Sequence, residues 1–493
     1  MISENDSIRL IFGLKIKALR QSKGLSYQQL ADQAGMSVSY VHDIETGKKF
    51  PKADKIIVLA RTLGVDYDYL VSLRASKKLQ PVIDLISSDF INAIPWEHFG
   101  LSPANLLDLF SSAPDKVTAF ISTLLKISRR YQLSKEGFYN SALRSYQDLH
   151  DNYFEDLETA VMKFREINHI STEVPLSINV LENILTQSGV QINRKKMGSA
   201  KALDRIRSYY SSESKTLYIN KRLSVAQEKF LIGRELGFQF MNLSPRPYET
   251  VYTGNESFEI MLNNFKASYF SAALLMPEEH FVEQLKVVAR QQSWNATSWM
   301  GLVLLYDVTP EMMMERMTNM LPRHFGIDHL FFLRMNGNGI NHHYEMTKEL
   351  HLSQLHNPYG NALHEHYCHR WISIKSIKAV VAQAAAKKYS GPLVDVQISQ
   401  YWQTHNRYLC ISMAKPLTRE GILSDSVTIG LLIDQNLVHS MPFVNDPAIV
   451  VRTVHTTCER CGILDCLERV ASPVVLQKED LKAEQEKALK LLN

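Results

Sequence analysis

The chain has 493 residues, of which 45% are hydrophobic and 22% charged, and its formal net charge is +4 at pH 7. This length and composition predict about three or four globular domains rather than one core. Its apolar runs are far shorter than a membrane-spanning helix, and its N-terminus lacks the order of a secretory signal. We therefore predict a cytoplasmic protein with no membrane partner. The net charge is too small to indicate a nucleic-acid partner, so any such indication must be local.

Residues 1–75 are predicted to form short helices that end at glycines. The first helix ends at Gly24 and carries apolar residues such as Phe12 and Ile16 at helical spacing. Three basic residues are predicted on its solvent side: Lys15, Lys17 and Arg20. Ser26 can cap a second helix that stops at Gly35, and Ser37 can cap a third, over 38–45.

Two helices that cross through so short a turn predict a helix-turn-helix, and residues 25–47 resemble the lambda-repressor/Cro type. Residues 1–74 also contain 11 Lys and Arg against 8 Asp and Glu, a local positive excess. We expect double-stranded DNA as the partner, bound by a dimer because single modules of this type bind weakly. The alternative is a protein-interaction module of the same shape. The predicted DNA-binding residues are Gln28, Ser37, Val38, Ser39, Tyr40, His42, Lys48 and Lys49.

Residues 76–170, with breaks at Pro81, Pro95, Pro103 and Pro114, are predicted to be a helical linker or oligomerisation region. Residues 171–325 are predicted to be mainly helical. Within them, residues 226–240 and 267–277 resemble the two signatures of the ImmA/IrrE metallopeptidases. Those peptidases need His-Glu-x-x-His to hold zinc, and here the five positions read Arg-Glu-Leu-Gly-Phe from residue 234.

A cation in place of a zinc ligand repels the metal, so we predict no peptidase activity. We expect Glu235 to pair with Arg234 or with a neighbouring backbone group. The vacated frame would leave a cleft, and a cation beside aromatic rings suits an anionic ligand with an apolar portion. The residues predicted to line this cleft are Phe238, Tyr269, Phe270 and Arg316. The alternative is that these aromatic residues belong to the core.

Residues 326–477 alternate like strands and predict an α+β domain with an antiparallel sheet, followed by a helical tail over 478–493. After the strands, Cys458, Cys461 and Cys466 stand at C-x2-C-x4-C spacing. In a reducing compartment such a group indicates a metal, a cluster or a redox centre rather than a disulfide, although incidental thiols are an alternative.

Three local thiolates need a fourth ligand. Cys368 lies in a polar, loop-like stretch and is the preferred candidate, with His369 and His455 as substitutes. Cys410 lies within a predicted strand, where a buried apolar role is expected. The spacing leaves open whether the site holds a structural zinc or a [4Fe-4S] cluster.

These features occur in one order, together with a Cys-x-x-Trp segment at Cys368 and the run Glu-Arg-x-Ala-Ser-Pro over 468–473. The whole chain resembles the short-chain fatty-acyl transcriptional regulators, which include bacterial regulators of the methylcitrate and glyoxylate cycles. The resemblance implies short-chain acyl-CoA sensing in the middle of the chain. It also implies a [4Fe-4S] cluster on four ligands: Cys368, Cys458, Cys461 and Cys466. The family usually has Pro after the first of these cysteines, and His369 stands there instead.

We therefore predict a non-enzymatic bacterial transcriptional regulator that is a homo-oligomer, either a dimer or a tetramer. Its predicted fold class is multidomain: an all-α helix-turn-helix and helical linker, a mainly helical ImmA/IrrE-like middle, and an α+β C-terminal domain. The alternatives are a redox- or oxygen-responsive regulator, a regulator with only a structural zinc, and, least favoured, a metallopeptidase.

Overall fold

A computed structural model gives the fold of residues 4–72, 135–198, 203, 206–247, 257–338, 343–352, 365–417 and 423–490. Most of the predicted linker, with its four proline breaks, lies outside the described residues. By contacts the chain divides into two units, Met1–Tyr146 with Tyr252–Leu262, and Gln147–Val251 with Asn263–Asn493. Among the described helices, none is long and apolar enough to cross a membrane.

The N-terminal part is a bundle of short helices, α1 Glu4–Ser22, α2 Tyr27–Ala34, α3 Val38–Glu45, α4 Ala53–Leu63 and α5 Tyr67–Val71. Phe12, Ile16, Leu30, Val41 and Ile44 belong to one buried apolar cluster. The predicted bounds of α2 and α3 are confirmed. Gly35 ends α2 with a left-handed backbone, φ +59°, which glycine adopts without steric cost.

The prediction that the basic side of α1 faces solvent is wrong for two residues. Lys15 is fully buried and donates to the carbonyl oxygens of Tyr69, at 2.6 Å, and Ser72 at the end of α5. Arg20 is buried in a bidentate ion pair with Glu45, at 2.6 and 2.9 Å. Helical periodicity did not predict the burial of these two residues, because both cations bind polar groups of other helices.

The middle of the chain is mainly helical, as predicted. Its helices are α6 Lys135–Leu149, α7 Glu155–Ile167, α8 Ile178–Gln187, α9 Val225–Phe240, α10 Phe258–Leu275, α11 Glu278–Ala289, α12 Ala296–Tyr306 and α13 Pro310–Phe325. A small sheet that the sequence did not reveal precedes α9, with strands β1 Gln191–Asn193, β2 Ser208–Ser211 and β3 Thr216–Ile219 in the order β1-β3-β2. Helix α9 approaches α10 closely, since a Cβ atom at Gly237 would lie 2.9 Å from the Phe270 ring.

The C-terminal domain is a six-stranded sheet with one long helix packed on it. The strands are β4 Leu330–Gly337, β5 Tyr344–His351, β6 Leu393–Tyr401, β7 Arg407–Pro416, β8 Ser424–Leu432 and β9 Val451–Val454, and their order is β5-β4-β8-β7-β6-β9. The remaining helices are α14 Ile372–Ala385, α15 Gln435–Ser440 and α16 Val474–Lys490. Helix α14 contacts β6, β7, β8 and β4.

The predicted fold class is confirmed, with one correction to the sheet. Strands β4 to β8 pair antiparallel, but β9 pairs parallel with β6 and makes the sheet mixed. The consecutive strands β4 and β5 pair with each other antiparallel. The helical tail starts at Val474, rather than at residue 478, and immediately follows the cysteine segment.

Candidate functional site

The cysteine segment begins after β9 and returns to a stretch ninety residues upstream. Tyr367 forms an antiparallel bridge with Thr457. The Cys368 amide donates to the Thr456 carbonyl at 3.1 Å, and the Cys458 amide donates to the His366 carbonyl at 2.9 Å. The protein backbone itself therefore holds the preferred fourth ligand beside the local three.

Side chains reinforce this pairing. Arg460 forms an ion pair with the buried carboxylate of Glu365 at 2.6 Å, and the Thr457 hydroxyl donates to the same carboxylate at 2.6 Å. Glu459 accepts hydrogen bonds from the His366 backbone amide at 2.9 Å and contacts its Nδ1 atom at 2.7 Å. Each of these contacts joins residues 365–366 to residues 457–460, so the two ligand segments form one cross-linked layer.

The four predicted cysteine ligands line a single cavity. It has about 270 Å³ of space including its opening to solvent. Cys368, Cys458 and Cys461 are buried and Cys466 is half-buried. Gly462 allows the loop to close, because a Cβ atom there would lie 2.1 Å from the Trp402 ring. The complete lining is Cys368, His369, Arg370, Thr457, Cys458, Cys461, Ile463, Cys466, Glu468 and Arg469.

Backbone amides point at these thiols. The His455 amide donates to Cys368 Sγ at 3.5 Å, and the Ile463 amide donates to Cys461 Sγ at 3.5 Å. Burial raises the pKa of Cys368 to about 12 and also raises the pKa of Cys458, while backbone amides near each sulfur oppose the rise. Because the thiolate is the metal ligand, amide donors of this kind fit a site whose sulfurs carry negative charge.

The alternative ligands are placed differently. His369 is buried and lines the cavity, with its Nδ1 atom 3.3 Å from Lys378 Nζ. The described lining of the cavity does not include His455, which contacts the site through the hydrogen bond from its backbone amide to Cys368. Cys410 is buried in β7 and lies outside the described lining, as expected for an apolar role. Within the described ranges, no group of three or more His, Cys, Asp and Glu residues is arranged to hold a metal ion.

The predicted DNA-binding residues lie on and around α3. Ser37 caps α3 by accepting the Tyr40 amide at 3.2 Å, and Val41 and Ile44 point into the core. Seven of the predicted residues are exposed and Tyr40 is partly buried. The exposed residues are Gln28, Ser37, Val38, Ser39, His42, Lys48 and Lys49.

Two of these side chains already have partners. The Gln28 amide donates to Asp32 at 2.8 Å, which holds it along α2. Lys49 pairs with Asp43 at 2.9 Å, and its ammonium lies 5.8 Å from the centre of the Tyr40 ring. The ion pair between Arg20 and Glu45 fixes the end of α3 against α1, an orienting contact that sequence reasoning missed.

In the peptidase-like segment of α9, an arginine of the chain itself pairs with Glu235. Arg246 forms a bidentate ion pair with Glu235, which also accepts a hydrogen bond from Gln239 at 3.0 Å. The Arg246 guanidinium lies over the rings of Phe238, at 4.1 Å, and Tyr210, at 4.4 Å. The prediction that Glu235 pairs with Arg234 is therefore wrong. Arg234 instead donates to Asn264 and Ser208.

The four residues predicted to line a ligand cleft do not do so. Phe238, Tyr269, Phe270 and Arg316 are all buried, so that prediction is wrong and the core alternative holds. Arg316 donates to Glu158 through both terminal nitrogens and to the Met276 carbonyl through Nε at 3.1 Å. The Tyr269 hydroxyl donates to the same Glu158 at 2.7 Å. Each of the three guanidinium nitrogens of Arg316 therefore already has an acceptor inside the core.

Comparisons with known proteins match the N-terminal and the middle parts of the chain to known families. A family model described as a helix-turn-helix domain matches residues 11–71, and one described as an IrrE N-terminal-like domain matches residues 185–318. Control protein C.BamHI of Bacillus amyloliquefaciens is 36% identical over 61 residues, which cover 12% of this chain and 75% of that protein. The chain belongs to the helix-turn-helix transcriptional regulators.

Two further relatives of this regulator differ in what they cover. The uncharacterized HTH-type transcriptional regulator YobD of Bacillus subtilis is 29% identical over 108 residues, 21% of this chain and 94% of that protein. The propionyl-CoA carboxylase regulator of Cereibacter sphaeroides is 22% identical over 300 residues, 56% of this chain and 59% of that protein. The regulator thus matches less than two thirds of the length of this last curated relative.

Proposed function

We propose that the regulator binds operator DNA as a homo-oligomer, a dimer or a tetramer, with α3 in the major groove. The observation that carries this proposal is the two-sided character of α3. Val41 and Ile44 anchor it in the core, while Val38, Ser39 and His42 remain exposed for base edges. Two-fold symmetry of the operator would match two such helices in a dimer.

Lys48 and Lys49 provide a matched test of this interface. Among the described residues Lys48 is exposed with no ion pair, whereas Lys49 is paired with Asp43. Lys48→Ala is expected to weaken binding to every DNA sequence and to reduce the salt slope of the affinity by about 1. Lys49→Ala should have a smaller effect because its charge is already partly neutralised. Equal salt slopes for the parent and Lys48→Ala would contradict this assignment.

We further propose that the regulator responds to a short-chain acyl-CoA and controls genes of short-chain fatty-acid and central carbon metabolism. The support is the name of the Cereibacter sphaeroides relative, a propionyl-CoA carboxylase regulator. The ligand would bind elsewhere than at the four buried residues predicted for it. The test is operator affinity of the cluster-loaded protein with and without propionyl-CoA, with free CoA as the control. An unchanged affinity would reject the acyl-CoA response.

For the C-terminal domain we propose a [4Fe-4S] cluster held by Cys368, Cys458, Cys461 and Cys466. The convergence of these four thiols on one cavity, with backbone amides directed at them, supports it. Such a cluster would connect Cys368 to the segment that carries the other three cysteines, and it would provide a one-electron redox centre. A structural zinc on the same thiols is the alternative, and it would require the thiols to move closer together, because no described group is arranged around a single metal ion. Iron, sulfide and zinc analysis of anaerobically purified protein distinguishes the two.

We also propose that the IrrE-like domain of the regulator is not a peptidase. Glu235, which stands where His-Glu-x-x-His has its glutamate, is neutralised by Arg246 rather than left to activate water. A redox- or oxygen-responsive regulator remains the second candidate, because the cavity with the four thiols is partly open to solvent and one of the thiols, Cys466, is only half-buried. Operator affinity measured before and after air exposure tests that candidate separately from the acyl-CoA response.

A further inference from the structure

Arg469 follows the last cysteine and forms the centre of the cysteine segment. One terminal nitrogen donates to the Cys458 carbonyl at 2.8 Å and to the Ala471 carbonyl at 3.2 Å. The other donates to the carbonyls of Cys461 and Ile463, both at 2.8 Å. One guanidinium therefore fixes the backbone at two of the proposed ligands and in the loop between Cys461 and Cys466.

These four bonds leave the fifth N–H donor of the guanidinium, on Nε, unexplained. Arg469 lines the cysteine cavity, and its Nε atom is buried with no hydrogen-bond partner among the described residues. A buried N–H of a charged group is costly to leave unpaired. An acceptor inside the cavity would satisfy the Arg469 Nε–H group, and the four thiols place sulfur atoms there.

The charge of Arg469 is also unbalanced by protein groups. Two of the surrounding carboxylates are already paired with other cations, Glu365 with Arg460 and Glu468 with Arg452, and Glu459 is hydrogen-bonded to His366. In the part of the chain that the structure describes, every partner of Arg469 is a neutral carbonyl. A cation held beside four thiols in this way complements a centre that carries net negative charge.

We propose that Arg469 is the counter-cation and hydrogen-bond donor of the iron–sulfur site, with Nε–H donating to a sulfur in the cavity. This inference rests on the proposed [4Fe-4S] cluster. A [4Fe-4S] centre with four thiolates becomes more negative by one charge when it accepts one electron. The positive charge of Arg469 therefore favours the reduced form, and its two terminal nitrogens position the ligand loop. Hydrogen bonds and charge near the sulfurs are known determinants of cluster potential.

The test compares two substitutions at Arg469 with one at Lys375. Arg469→Gln removes the charge, and Arg469→Lys keeps the charge but loses the forked geometry. Lys375→Gln removes a cation elsewhere in the same domain that pairs with Asp395 at 3.2 Å, and both residues of that pair lie outside the described lining of the cavity. Each full-length protein is loaded anaerobically with iron and sulfide, and its midpoint potential is measured by dithionite titration with redox dyes.

Arg469→Gln is expected to reduce the ratio of reduced to oxidised cluster about tenfold at a fixed ambient potential, a fall of about 59 mV. Arg469→Lys should recover part of that shift, while both variants lose iron to a chelator several-fold faster than the parent. Lys375→Gln should match the parent in both measurements. Far-UV circular dichroism of each variant, measured in parallel, confirms that the chain has folded.

Two failures are distinguishable. If the parent takes up no iron and sulfide, the proposed cluster is wrong and Arg469 has no such role. If the parent takes up a cluster but Arg469→Gln has the potential and cluster stability of Lys375→Gln, only the inference about Arg469 is overturned. Should Arg469→Gln fail to fold, the potential of Arg469→Lys decides: a value shifted below the parent supports the proposal, and an unchanged potential with unchanged iron retention opposes it.

Discussion

The IrrE-like segment and the cysteine site are two regions in which groups suited to a metal come together, and they differ in what else is present. At Glu235 the protein supplies its own cation, Arg246, which forms a bidentate ion pair and lies between two aromatic rings. At the cysteine cavity the protein supplies four thiols and a cation, Arg469, whose Nε atom has no hydrogen-bond partner among the described residues.

The polar groups at Glu235 therefore satisfy one another, whereas the groups at the cysteine cavity are still available to a ligand. A polar cluster whose members satisfy one another stabilises structure and has no free capacity for a ligand. Thiols that line one cavity with amide donors directed at them retain that capacity. Changes at the two sites should therefore affect different measurements, cofactor content at one and folding free energy at the other.

The largest expected effect is on cofactor content. Cys458→Ser should abolish the uptake of iron and sulfide, because one of four ligands is lost from a buried position. Cys410→Ala, at a buried cysteine outside the described lining of the cavity, should leave that uptake intact. Iron and sulfide analysis after anaerobic loading measures both. Equal loss in the two variants would show that general destabilisation, not ligand loss, explains the result.

The next effect concerns the site at Glu235. Arg246→Ala leaves the buried Glu235 carboxylate without its cation, and we expect a loss of about 3 kcal/mol in the free energy of unfolding. The cofactor content should not change. Urea unfolding followed by tryptophan fluorescence measures the loss. The Glu235→Leu/Arg246→Leu double variant should recover most of it, since no buried charge remains, and a double variant as unstable as the single one would contradict this account.

A smaller effect is expected at the contacts that hold Cys368 in place. Glu365→Gln weakens the pairing with Arg460 and should speed the loss of iron to a chelator by several-fold, without abolishing uptake. Asp395→Asn, which weakens an ion pair with Lys375 elsewhere in the same domain, serves as the control. The rate of absorbance loss at the cluster band gives the comparison. Identical rates would mean that the backbone bonds alone position Cys368.

The last prediction concerns Lys15, a buried charge in the helix-turn-helix domain, and the pH dependence of the free energy of unfolding. Burial lowers the pKa of Lys15 from 10.5 to about 8. Between these values the unfolded chain binds more protons than the folded one, so this residue makes the free energy of unfolding rise with pH from about 8 to 10.5. Lys15→Met should remove that rise. Pulse proteolysis in urea, read on peptides from residues 4–72 at several pH values, compares the two proteins.

The parts of the fold that local sequence patterns describe were predicted well. Serine caps and glycine stops define α2 and α3, and alternation in the C-terminal domain marks β6, β7 and β8. The sheet β1-β3-β2 was missed because its strands have only three or four residues. The parallel pairing of β9 was missed because it depends on a partner about fifty residues away in the chain, which no local pattern reveals.

The candidate site shows the same limit. The spacing of the three C-terminal cysteines indicated a common centre, but Glu365, Arg246 and Arg469 act through partners distant in the chain or through backbone carbonyls. The ligand prediction at Phe238 and Arg316 failed because residue type does not distinguish a cation that lines a cleft from one buried with Glu158. A signal for Arg469 was present in the Glu-Arg-x-Ala-Ser-Pro run, without an indication of its role.

The measurement that tests the central claim most directly is iron, acid-labile sulfide and zinc analysis of the full-length regulator purified without air. The account predicts about four iron and four sulfide per chain, lost together in Cys368→Ser and in Cys466→Ser. One zinc per chain with no sulfide, or iron and sulfide that persist in those two variants, would contradict it.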